Sequence, residues 1–174
     1  DKGLKRIKNI LSFNADKGLI EKELADDIFS KVNPSLDYSQ IKDCDLIIEA
    51  VFEERDLKAK VIKESEKHMK KSAIFASNTS TISINELNHF SSSPENFIGI
   101  HFFSPVDRME LVEIIKTKKS SVETLSCVYD FIRKINKTPI IVNDSPGFYT
   151  TRVFEKYTCE GLALLYEGYP AHLI

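Results

Sequence analysis

Apolar and polar positions follow two periods along this chain. In residues 3–29, Leu4, Ile7, Ile10 and Leu11 keep helical spacing, and Leu19-Ile20 to Ile28 continue it after Gly18, with Lys, Glu and Asp on the other face. Residues 32–38 form a weak extended stretch broken by Pro34. Residues 46–52 are a short, nearly continuous apolar run, the mark of a strand covered on both faces. A helix follows over 54–70, with Leu57, Val61 and Ile62 inward and acid-before-base pairs four apart outside. Strands are predicted over 73–76, 97–102, 111–115 and 138–144. Between them fall a short helix over 84–90, with Ser83 and Glu86 at capping-box spacing, and a longer one over 122–135. A last helix runs over 148–167, closed by Gly168.

Strand, helix, strand, helix, strand, at 20–25 residues per unit, is the rhythm of a doubly wound, mostly parallel α/β sheet. Ligands in such sheets sit beyond the carboxyl ends of the strands. These ends carry Glu53 and Glu54, then Ser77 to Ser80, then His101 and Ser104, then Asn143 to Ser145. If the strands are parallel, all of these groups gather on one rim.

Composition narrows the function classes. With 24 Lys and Arg against 26 Asp and Glu, the net charge of −2 gives no electrostatic reason to expect nucleic acid or an anionic membrane. No apolar run approaches the ~20 residues of an integral membrane helix. Cys44, Cys127 and Cys159 are odd in number and far apart, which fits a reducing compartment and excludes a C-x-x-C zinc site. No histidines stand at metal-ligand spacing, so no metal is expected.

The candidate chemistry centres on His101. At the end of a strand, this ring is either a proton acceptor or a structural histidine. Glu113 lies in an apolar run where an unpaired carboxylate would be costly to bury, unless it faces outward. A His–Glu pair would fix the tautomer and raise the basicity of the ring. Ser77 to Ser80 either bind a hydroxyl or anion or simply end a strand. Glu49, inside a strand, needs a lysine or backbone amides. Glu53 and Lys58 either touch a ligand or open a surface helix. His68, His89 and His172 receive no role.

Four stretches together, "DLIIEAVFEERDLKAKV", "IFASNTSTISINEL", "GIHFFSPVDRMELVEII" and "DSPGFYTTR", resemble the 3-hydroxyacyl-CoA dehydrogenase family. The likeness is greatest to the dehydrogenase part of multifunctional β-oxidation enzymes of the trifunctional α-subunit type. It implies a Rossmann-like fold, NAD as cofactor and NAD-dependent oxidation of (S)-3-hydroxyacyl-CoA to 3-oxoacyl-CoA. It gives His101 the role of base, Glu113 that of its orienting carboxylate, and Ser80 that of a hydrogen-bonding partner at the reacting oxygen and cofactor. Glu53, Lys58 and Ser104 fall at cofactor positions. Ser104 and Thr151 replace asparagines of monofunctional members, as in the trifunctional branch.

None of the six glycines forms G-x-G-x-x-G. The resemblance therefore places the family's first strand and glycine turn before Asp1. It divides the chain into a partial NAD-binding domain over 1–147 and the first helix of a truncated helical domain over 148–174. On this reading the isolated segment is inactive, and its parent is oligomeric or part of a multienzyme complex. The competing expectation is a non-catalytic binding or assembly domain that keeps the fold.

Overall fold

The computed structural model describes residues 2–174. The chain falls into two compact units, one ending at Gln40 and the other spanning Ile41–Ile174. The first unit is a pair of helices, α1 (Lys2–Asp16) and α2 (Lys22–Ser30). Gly18, at φ 68°, takes the left-handed conformation that separates them. Ala25 is the one buried side chain on these two helices.

The second unit carries a five-stranded sheet in the order β1 (Leu46–Glu49), β2 (Ile74–Ser77), β3 (Phe97–Phe102), β4 (Leu111–Lys116), β5 (Thr138–Asn143). Helices α3 (Arg55–His68), α4 (Ile84–Asn88), α5 (Val122–Lys134) and α6 (Thr150–Tyr166) connect or follow the strands. Period-two alternation sorts the side chains onto two faces. Phe75, Phe97 and Ile115 pack with Ile62 of α3 and Ile84 and Leu87 of α4. Their neighbours Ala76, Ile98 and Ile114 pack with Val128 and Ile132 of α5 on the other face. Gly99 lets α4 lie directly on β3, since an added Cβ would sit 2.8 Å from Ile84 Cγ1 and 2.9 Å from Ile115 Cβ.

Strands β1, β2 and β3 are parallel, and β4 is parallel to β5, but β3 and β4 are antiparallel. The cause lies in the connection: residues 103–110 are too few for the crossover of a dozen or more that a parallel return requires. This corrects the expected single rim. Asn143 is level with Lys116, at the edge opposite His101. Asp144 serves the fold there, accepting from Ser83 Oγ at 2.7 Å and from the amides of Ile84 and Asn85 at 3.0 and 2.8 Å, at the start of α4. The stretch 32–38 forms no strand. A turn through Pro146 and Gly147 (φ 72°) then sends the chain back toward the His101 edge, with Phe148 anchored in the core at 3% exposure.

Candidate active site

Antiparallel register makes the central contact. His101 and Glu113 are directly opposite one another on β3 and β4, so their side chains leave the same face at the short spacing of a cross-strand pair. His101 Nδ1 lies 2.7 Å from Glu113 Oε2. Glu113 is fully buried and has all its acceptor positions occupied. Oε1 takes the backbone N–H of Tyr149 at 3.0 Å and of Thr150 at 2.9 Å, and Oε2 also takes the Thr150 hydroxyl at 2.9 Å. Burial pushes this carboxyl up, but His101 and the donors at the start of α6 outweigh burial and hold it below the usual carboxylate range. An ionised carboxylate can only accept, so Nδ1 is the donor in this contact, and in a neutral ring the lone pair is on Nε2. His101 is 7% exposed, and its ring packs against Phe103 with centroids 4.5 Å apart.

The ring borders an open cleft of about 670 Å³ with an apolar wall of Met109, Leu111, Val153, Phe154 and Tyr157; Ser80 and Thr151 also line it. The structure thus brings His101, Glu113 and Ser80 to one place. Asn78 spans the gap between the second and third strands, its side-chain carbonyl accepting from Phe102 N at 2.9 Å.

A second carboxylate shapes the S-N-T-S turn. Glu53 Oε1 accepts from the amides of Ser80 and Thr81 at 3.0 and 3.1 Å and from the hydroxyls of Thr79 and Thr81. Glu53 Oε2 lies 3.2 Å from Lys58 Nζ. Lys58 itself is 1% exposed and bonds Glu49 at 2.7 Å. Glu49 in turn receives Ser77 Oγ at 2.7 Å and Val51 N at 2.8 Å, which satisfies the carboxylate within the strand. Lys58 is therefore enclosed between two carboxylates, and it reaches the cleft only through Glu53 and the turn. Ser104 is exposed beyond β3 and does not line the cleft.

Burial raises the Glu53 carboxyl, but the hydroxyls of Thr79 and Thr81 and the charge of Lys58 prevail, taking it from 4.5 to about 2. A depressed acid stabilises the fold when ionised, so its contribution is complete above pH 4.5 and is lost as the pH falls toward about 2. The urea midpoint of the native protein is expected to fall across that window more steeply than that of Glu53→Gln. Parallel curves would contradict this account of the turn.

Sequence reasoning missed Thr150 and Tyr149, and it took Asn78 only as part of the turn Ser77 to Ser80. It attended to Thr151, whereas the neighbouring Thr150 holds Glu113. Thr150 stands two residues after Phe148, and nothing in the sequence ties it to Glu113. Among the described residues no cluster of His, Cys, Asp and Glu is arranged to hold a metal, and no helix is long and apolar enough to cross a membrane.

Comparison with known proteins agrees with this fold. Residues 1–145 match the family model for the 3-hydroxyacyl-CoA dehydrogenase, NAD binding domain. The (S)-3-hydroxybutyryl-CoA dehydrogenase of Ralstonia eutropha is 34% identical, with a TM-score of 0.93 over 96% of this chain and 59% of that one. The 3-hydroxybutyryl-CoA dehydrogenase of Escherichia coli is 25% identical, with a TM-score of 0.92 over 95% of this chain and 35% of that one. The dehydrogenase part of multifunctional enzyme 1 from C. elegans is 27% identical, with a TM-score of 0.76 over 98% of this chain and 40% of that one. This chain thus spans about three-fifths of its Ralstonia relative. With 145 of its 174 residues matched, the chain belongs to the 3-hydroxyacyl-CoA dehydrogenase family through its NAD-binding domain.

Proposed function

We propose that this chain is the base-bearing part of an enzyme that oxidises (S)-3-hydroxyacyl-CoA to 3-oxoacyl-CoA in fatty-acid β-oxidation. The observation that carries the reading is the His101–Glu113 pair at 2.7 Å, bordering a cleft lined by Ser80 and an apolar wall. His101 Nε2 takes the proton of the 3-hydroxyl. Glu113 keeps the ring oriented and stabilises the imidazolium that results. Ser80 offers a hydroxyl to the reacting oxygen. Met109, Phe154 and Tyr157 supply an apolar surface suited to an acyl chain.

Bound NAD supplies a hydride acceptor for C3 of the substrate. The residues present fit part of its site: Glu53 is an ionised, partly exposed carboxylate at the carboxyl edge of the parallel strands, next to Ser80, where a cofactor hydroxyl could donate to it. Lys58 acts on this site by holding Glu53. The 174 residues contain no G-x-G-x-x-G seat for a pyrophosphate. On our reading residues 1–147 are part of an NAD-binding domain, completed by further strands of a longer polypeptide. Residues 148–174 are the start of a helical domain. The exposed apolar residues of α6, among them Leu162, Leu165 and Tyr166, support the second assignment. Likeness to the dehydrogenase part of the worm multifunctional enzyme supports a setting within a multifunctional protein.

Initial rates of NADH formation by the complete protein, with (S)-3-hydroxyacyl-CoA from four to sixteen carbons, test the reading. Turnover across the series is expected, with the 174-residue chain alone inactive. No turnover by the complete protein at any length would remove the function.

A further inference from the structure

The resemblance assigns no role to residue 150. We propose that Thr150 is a positioning residue for the base: its hydroxyl fixes the carboxylate oxygen that faces His101, so α6 sets the state of the catalytic pair. The inference rests on the dehydrogenase reading above for its kinetic consequence, and on geometry alone for its structural one.

Thr150 Oγ1 donates at 2.9 Å to Glu113 Oε2, the same oxygen that lies 2.7 Å from His101 Nδ1. The two backbone donors, Tyr149 N and Thr150 N, go to the other oxygen, Oε1. The amides therefore fix where the carboxylate sits, while the hydroxyl fixes the oxygen presented to the ring. Placing a donor on Oε2 has two physical effects. It resists rotation of the carboxylate away from Nδ1. It also favours the ionised form in a fully buried site, so the proton shared with His101 stays on the ring when the ring becomes charged. Tyr149 and Tyr157 are the other titratable side chains lining the cleft, and neither contacts Glu113 through its phenol.

The backbone donors survive in Thr150→Val, so this variant isolates the hydroxyl. Thr150→Ser restores it. Two readouts in the complete protein decide the matter. Carboxyl-carbon NMR of Glu113 is expected to show protonation at higher pH in Thr150→Val by about half a unit to one unit, with Thr150→Ser close to the native protein. The kcat of Thr150→Val is expected to fall about threefold to tenfold with KM nearly constant, and serine is expected to rescue it. If valine impairs folding, Thr150→Ala removes the same hydroxyl without bulk. A purely structural threonine would leave the Glu113 titration unmoved, and that result, or a serine variant as slow as valine, would overturn the proposal. If the complete protein oxidised no 3-hydroxyacyl-CoA, the functional reading would fall while the carboxyl titration still decided the role of Thr150.

Discussion

Replacing His101 by glutamine in the complete protein is expected to lower kcat for 3-hydroxyacyl-CoA oxidation by about 10²–10⁴-fold while the fold persists. Glutamine can keep a hydrogen bond to the buried Glu113 carboxylate, so the packing of β3 on β4 has little reason to change. It cannot take a proton near neutral pH. KM is expected to move much less than kcat, because the apolar wall around Phe154 and Tyr157 is untouched. Steady-state rates together with circular dichroism check both halves. A variant within a few-fold of native kcat would show that the proton goes elsewhere and would favour a binding or assembly role for the domain.

The largest stability effect is expected away from the base, at Glu49. This carboxylate and the Lys58 ammonium bond at 2.7 Å with side-chain exposures of 0% and 1%. Glu49→Leu leaves the lysine with the longer contacts to Glu53 at 3.2 Å and the Val51 carbonyl at 3.3 Å, and strips the Ser77 hydroxyl and the Val51 amide of their acceptor. Removing one member of a buried pair costs about 3–5 kcal/mol. Lys58→Met is expected to cost a comparable amount and also to loosen the Ser80 turn through Glu53. The double variant is expected to recover much of the loss, since apolar side chains of similar volume replace a buried pair at little cost. Urea unfolding of the four proteins measures the coupling. Additive losses would contradict the buried chain from Glu49 through Lys58 to Glu53.

Much of this architecture is legible in the sequence because it depends on local pattern. Strand β3 carries its burial in an unbroken run, and α5 shows its inward stripe at Leu125, Val128 and Ile132. Glu49 announces its need for a partner by being a carboxylate within a strand. The sense of β4 was legible too, in the short connection after Phe102, but the strand–helix rhythm masked it and put Asn143 to Ser145 on the wrong edge. Family motifs marked His101, Glu113 and Ser80 as candidates, and cross-strand register explains why the first two meet. Thr150 was not legible, because its contact with Glu113 depends on the turn at Gly147 and Phe148 returning the chain across the sheet. No spacing rule relates residue 150 to residue 113. Likewise the enclosure of Lys58 follows from α3 packing over Glu49, which a motif naming both Glu53 and Lys58 as ligand contacts does not contain.

The most direct measurement is a crystal structure of the complete protein trapped with its nicotinamide cofactor and a 3-hydroxyacyl-CoA. The 3-oxygen is expected about 2.6–3.2 Å from His101 Nε2, with Nδ1 still on Glu113 and the acyl chain against Phe154 and Tyr157. A substrate oxygen held by other groups, with the His101 ring turned away from it, would contradict the account.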